Sequence, residues 1–152
     1  MNIEAAERRT IVHEARSWIG TPYHNQGDIK GVGVDCAMLL LRVFVDKGLC
    51  EPFDPRPYAD DFYLHRSDEK YLAAILGRAK EVAAPLPGDL MVFRYGRCYS
   101  HGGIVTLASP LTIVHAYAPA FMVLEEIVAQ NIKLCSIKRN PKYFSYWRAC
   151  RC

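Results

Sequence analysis

The sequence predicts an α+β domain, with helices packed on one side of an antiparallel sheet. Two observations carry that expectation. Apolar residues recur at helical spacing through the first half of the chain, and after Pro85 and Pro87 the pattern changes to short alternating runs typical of strands. The length of 152 residues, with no repeat and no linker-like stretch, fits a single domain over residues 1–152. Such a domain is large enough to bury a core without disulfides.

Residues Ile3 to Ile19 place Ile3, Ala6, Ile11, Ala15, Trp18 and Ile19 at mostly helical spacing, with Gly20 as a stop, and predict an amphipathic first helix. Gly20 to Val34 contains five Gly or Pro residues and reads as a loop with sharp turns. Asp35 is placed as the N-cap of an almost wholly apolar second helix, Ala37 to Val45, with Gly48 just beyond its end. Such a helix should be buried on most sides. Cys50 to Arg66 reads as a Pro-containing loop, and Ser67 and Asp68 open a third helix reaching about Lys80, with Tyr71, Leu72, Ile75 and Ala79 inward. Five strand-like stretches follow: Gly88 to Tyr95, His101 to Ala108, Leu111 to Tyr117, Phe121 to Ile127, and Lys142 to Ala149. Ser109-Pro110 and Ala118-Pro119 supply turns.

Composition excludes several function classes. Hydrophobic residues at 51% and charged residues at 23% exclude a disordered or collagen-like chain. The formal charge of +3 is spread along the chain apart from the end between Lys133 and Arg151, too weak a bias for a nucleic-acid partner. No apolar run approaches the roughly 18–20 residues of a membrane span. The N-terminus, with Glu4 and Glu7 and no apolar stretch, predicts synthesis without a signal peptide. Six cysteines form no Cys-x-x-Cys pair, so free thiols are expected and no metal or cofactor site.

Cys36 stands at the first turn of the second helix, where unpaired N–H groups and the helix dipole favour thiolate over thiol. A cysteine taken alone is more often a small buried hydrophobe. Gly31 and Gly33 let a backbone or substrate approach closely. Of the five histidines, His13 and His65 read as surface or packing residues, and His24 as a possible substrate contact in the loop. His101 and His115 fall in the strand-rich half. If residues 103–108 pair with 111–116 around the Ser109-Pro110 turn, the two imidazoles come together approximately opposite one another. One would exchange protons with Cys36 and the other would fix its tautomer.

Five segments, Trp18-Ile19-Gly20-Thr21-Pro22-Tyr23, Gly33-Val34-Asp35-Cys36, Pro87-Gly88-Asp89-Leu90-Met91-Val92-Phe93, Ser100-His101-Gly102-Gly103-Ile104 and Val114-His115-Ala116, together resemble the NlpC (NlpC/p-sixty) family of papain-like cell-wall peptidases. The Gly-Val-Gly-Val-Asp-Cys-Ala and Val-His-Ala-Tyr runs are similar to the branch found in tailed phages and gene transfer agents. The resemblance implies a papain-like fold, N-terminal helices on a five- or six-stranded antiparallel sheet. It assigns Cys36 as nucleophile, His101 as base and acid, and His115 as the residue that orients the imidazole. Tyr23 would help bind the oxyanion or substrate, Asp35 would anchor a substrate amino group, and Ser100 would line the groove.

The implied reaction is hydrolysis of an amide in the peptidoglycan stem peptide, most often the γ-D-glutamyl to diaminopimelate bond, through a thioester. The implied partners are the stem peptide and phage or gene-transfer-agent tail proteins, and the implied place of action is the cell wall, as a tail component. Many members carry Ser after the nucleophile; here it is Ala37. A thiol acyltransferase or lipid-handling relative, and a non-catalytic tail assembly or binding module, are the alternatives. Cys98, three residues before His101, is expected near the site without taking part, and Tyr143, Phe144, Tyr146 and Trp147 are expected in a closing strand and core.

Overall fold

Asn2 opens the first helix, α1 (Ile3–Ser17), by accepting the Ala5 N–H on its side chain, with Glu4 in the first turn and Arg16 in the last, as the helix dipole favours. The computed structural model describes residues 2–59 and 69–148. The buried stripe of α1 is Arg8, Ile11, Val12 and Ala15, continued past its end by Trp18. Ile3 and Ile19, expected on that stripe, are exposed. Ile3 lies in the first turn, and Ile19 follows the helix end, where Gly20 at φ +89° turns the chain away. The following loop contains a two-residue ribbon, β1 (Asp28–Ile29) with β2 (Gly33–Val34), too short to leave a strand signature in the sequence.

Helix α2 (Cys36–Asp46) starts where expected and ends before Gly48, which sits at φ +72°. Its buried residues Met38, Leu39, Leu40, Val43 and Phe44 occupy most of its circumference. Helix α3 (Lys70–Leu76) is shorter than expected. Its predicted opening at Ser67 and Asp68 lies outside the described residues, and its predicted end at Lys80 is overtaken by β3 (Lys80–Val82), an unexpected strand that pairs with the C-terminal strand. That long-range pairing overrides local helix spacing.

The remaining strands are β4 (Leu90–Tyr95), β5 (Cys98–Ala108), β6 (Leu111–Tyr117), β7 (Met122–Ile127) and β8 (Lys142–Ser145). They form a six-stranded antiparallel sheet in the order β3-β8-β4-β5-β6-β7. Its helix face packs Leu90, Val92, Ile104, Val114, Ala116 and Phe144 against α1 and α2. A smaller core on the opposite face gathers Met91, Phe93, Val105, Ile113 and Tyr117 under Val128 and Leu134. Each such fully buried side chain is worth about 1.5–3 kcal/mol over leaving it exposed. Strand β8 ends at Ser145 rather than continuing to Ala149 as expected; Phe144 is core, and Tyr146, just beyond the strand, stacks on Phe44 with ring centroids 4.5 Å apart.

The Pro87-Gly88-Asp89 segment is structural. The Asp89 carboxylate accepts from Arg8 of α1 at 2.8 Å and from the Leu86 N–H at 2.8 Å. Arg8 also donates to the Pro87 carbonyl and to the Ser145 hydroxyl, so one buried ion pair ties α1 to β4 and β8. Gly88 is at φ +93°, and a Cβ there would sit 3.1 Å from the Trp147 ring, so glycine serves both the turn and the packing.

Candidate active site

Val34, fixed by backbone hydrogen bonds from its N–H to Pro22 and from His24 to its carbonyl, delivers the chain into α2. Asp35 then caps the helix. One carboxylate oxygen accepts the Met38 N–H at 2.9 Å; the other accepts the Gln26 N–H at 2.8 Å and the Tyr58 hydroxyl. Asp35 is 2% exposed, and both oxygens are engaged in holding the start of α2.

Cys36 is therefore the first residue of α2, and it is half-buried. Its thiol donates to the Ser100 carbonyl at 3.5 Å, and the N–H groups of Gly102, Ala37 and Cys36 itself also lie by the sulfur. The thiol thus rests against β5 on both sides of His101. A bulge explains why that carbonyl is available: Phe93 pairs with His101 and the next residue, Arg94, pairs with Tyr99, which leaves Ser100 as an extra residue in β5. Ser100 is 9% exposed, and its clear contribution is this carbonyl.

Burial pushes the Cys36 thiol up to about 12, the Asp35 carboxylate adds to that, and the three N–H groups oppose it. Burial and the adjacent anion thus work against the thiolate that the helix N-terminus favours.

The two histidines meet. Nε2 of His101 lies 2.8 Å from Nδ1 of His115. With Ile104 opposite Val114 and Val105 opposite Ile113, they are diagonal neighbours on one face rather than directly opposite. A Cβ at Gly103 would lie 3.1 Å from the His115 Cβ, which shows how closely the glycine lets the strands carry this pair. His115 is fully buried, and its Nε2 is 2.7 Å from the Glu126 carboxylate, which also accepts the Asn131 side-chain amide at 3.1 Å. Tyr117 stacks on the His115 ring at 4.8 Å, and Phe93 and Tyr95 flank His101. Burial, reinforced by His115, pushes His101 well below the ordinary histidine range. The hydrogen bond from His115 holds the Glu126 carboxyl below its ordinary range. Among the described residues no hydrogen bond joins Sγ to the His101 ring, and His101 Nδ1 has no partner.

This helix-on-sheet arrangement recurs in solved structures. The chain matches the NlpC/p60 domain of the peptidoglycan hydrolase SagA with TM-score 0.56 and 21% identity, over 90% of this chain and 96% of that one. The fold is that of an NlpC/p60 domain. NlpC1 from Trichomonas vaginalis matches with TM-score 0.57 and 16% identity over 83% of this chain, which spans 41% of that protein's length. No family model and no curated protein matches the sequence. The papain-like α+β architecture expected from the motifs is the one observed.

Other residues in this NlpC/p60 fold sort by distance from the sulfur. Tyr23 is half-buried, with its N–H bonded to the Phe121 carbonyl. Tyr71 presents a buried hydroxyl with no hydrogen-bond partner among the described residues, 2.6 Å from where a Gly102 Cβ would be. Burial, with the Asp35 carboxylate adding to it, holds its proton on. His24 is exposed, bonds its own loop at the Asn25 carbonyl, and packs over Gly33, whose missing Cβ makes room for it. Gly33 therefore serves the ribbon's packing rather than substrate approach. Cys98 is buried in β5, and Cys150 and Cys152 lie outside the described residues.

Glu126, Asn131, Tyr58 and Tyr71 are site neighbours that the sequence reading missed. A usable signal existed for Glu126 alone: pairing β6 with β7 across the Ala118-Pro119 turn sets His115 opposite Leu124, with Glu126 one diagonal away. An apolar cavity of about 370 Å³ also lies between α2, α3 and residues 50–59, walled by Ala37, Leu41, Phe44, Phe53, Tyr58 and Tyr71. No described helix is long and apolar enough to cross a membrane.

Proposed function

We propose that the protein is a cysteine amidase that hydrolyses an amide of the peptidoglycan stem peptide, the γ-D-glutamyl to diaminopimelate bond, and that it works with phage or gene-transfer-agent tail proteins at the cell wall. The observation that carries the reading is a helix-terminal cysteine set against the backbone on both sides of a hydrogen-bonded histidine pair. The fold shared with a domain of a peptidoglycan hydrolase supports the substrate class.

In this mechanism Sγ attacks the amide carbonyl carbon as its proton passes to His101 Nδ1. His101 takes the thiol proton as general base while the sulfur adds to the carbonyl. The Cys36 N–H and the Tyr23 hydroxyl hold the oxyanion, a donor type whose loss costs about 10²–10³ in turnover. Collapse breaks the C–N bond, His101 protonates the leaving amine, and water activated by His101 hydrolyses the thioester. Purified sacculi and defined muropeptides test the proposal. Cys36→Ser and His101→Ala should release no stem-peptide fragments while the fold survives, and mass analysis of wild-type products identifies the bond. Undiminished release by Cys36→Ser would sink it.

The apolar cavity beside Ala37 favours a second reading, acyl transfer through the same cysteine, since an acyl chain needs such a space. Incubation with peptidoglycan and with phospholipid, followed by the mass of the acylated Cys36 peptide, separates the two. A chain whose Cys36 acylates with neither is a binding module.

A further inference from the structure

We propose that Glu126 is a positioning residue: through His115 it keeps the basic lone pair of His101 on Nδ1, the ring atom left for the nucleophile. For turnover this rests on the amidase reading above; for the protons it rests on geometry alone.

An ionised carboxylate only accepts hydrogen bonds. The 2.7 Å contact between Glu126 and His115 Nε2 therefore places a proton on that nitrogen. A neutral His115 then has its lone pair at Nδ1, so across the 2.8 Å contact His101 Nε2 must donate. His101 is left unprotonated at Nδ1. Without the carboxylate, His115 is free to carry its proton on Nδ1 and donate it to His101, which would move the His101 proton to the side that must be basic.

The carboxylate is itself held. Asn131 donates its amide to the second Glu126 oxygen at 3.1 Å. The Asn131 carbonyl oxygen accepts the Lys133 and Leu134 N–H groups at 3.1 and 3.2 Å, which fixes which way the amide faces. Val128 and Leu134, on either side of Asn131 in the chain, are buried in the core on the same sheet face as Tyr117. That packing fixes the segment. His115, at 0% exposure, is closed to bulk solvent, and Glu126 is the hydrogen-bond partner of its Nε2.

The test is the ¹⁵N spectrum of the imidazoles at neutral pH in the wild type and in Glu126→Gln, an isosteric change whose amide can donate as well as accept. The expected wild-type pattern is a proton on Nε2 and none on Nδ1 for both His101 and His115. In Glu126→Gln that pattern should mix or invert, and kcat should fall at least about tenfold with KM unchanged, the wrong-tautomer limit being about 10⁴-fold. A wild-type His101 protonated at Nδ1 overturns the proposal, even if the variant does not fold. So does a Glu126→Gln spectrum identical to wild type, or an altered spectrum with full turnover. Activity retained by Cys36→Ser would instead remove the amidase reading and leave the assignment of protons standing.

Discussion

Cys36 and the two histidines are held by opposite kinds of constraint. Cys36 is fixed locally, as the first residue of a helix whose cap, Asp35, is its neighbour in sequence. His101 and His115 are fixed by register across β5, β6 and β7 and by hydrogen bonds that end on Asn131. Cys36 and His101 are both half-buried, whereas His115 behind them is fully buried, so the constraint tightens from the thiol towards Glu126 and Asn131.

The strongest break in this comparison removes one member from each side. Cys36→Ala and His101→Ala should each lower turnover by about 10⁴-fold or more, and the double variant should be scarcely worse than either, since members of such a unit do not add. Single-turnover assays on a muropeptide measure this, with thermal melts confirming that both variants fold. Next is the tie between the halves. Asp89→Ala removes the buried carboxylate and leaves Arg8 only the more exposed Glu4, and should cost about 3 kcal/mol in urea unfolding. A smaller effect is expected where the two regions touch. Gly102→Ala puts a Cβ 2.6 Å from the Tyr71 hydroxyl and 3.0 Å from Leu40 and should destabilise by about 1–3 kcal/mol, with a larger fractional loss of turnover than of folded protein.

The mildest test concerns protons. A folded-state thiol pKa raised from 9 to about 12 leaves stability unaffected below pH 9 and lowers it as pH rises from 9 towards 12, where the unfolded chain ionises first. Iodoacetamide should accordingly label Cys36 at a rate that climbs through pH 10 without a plateau, and Asp35→Asn, which keeps the cap, should shift that climb to lower pH. A plateau near pH 8.5 would show an ordinary exposed thiol.

Much of this arrangement is legible in the sequence because its signals are short-range. Asp35 before an apolar run marks the start of α2, and the Ser109-Pro110 turn brings β5 and β6 together. What is not legible depends on distant partners. Lys80–Val82 becomes a strand because residues 143–145 arrive beside it, and Tyr58 reaches Asp35 from a loop with no pattern of its own. The protonation of Cys36 shows the same limit in energetic form. A helix N-terminus is worth about 0.3–1 kcal/mol, less than a single pKa unit, and is visible in the sequence. The burial that outweighs it depends on what packs around the sulfur, which the order of residues along the chain does not state.

The extra residue in β5 has a consequence for anyone rebuilding this protein. A designer seeking an ideal hairpin would delete Ser100, restore continuous pairing between β4 and β5, and expect a sturdier sheet. The deletion would withdraw the carbonyl from the thiol and reverse which side of the sheet the residues before it present, so the improved scaffold would have lost its workplace. The irregularity is the point at which the sheet stops serving its own pairing and begins to serve the helix laid across it.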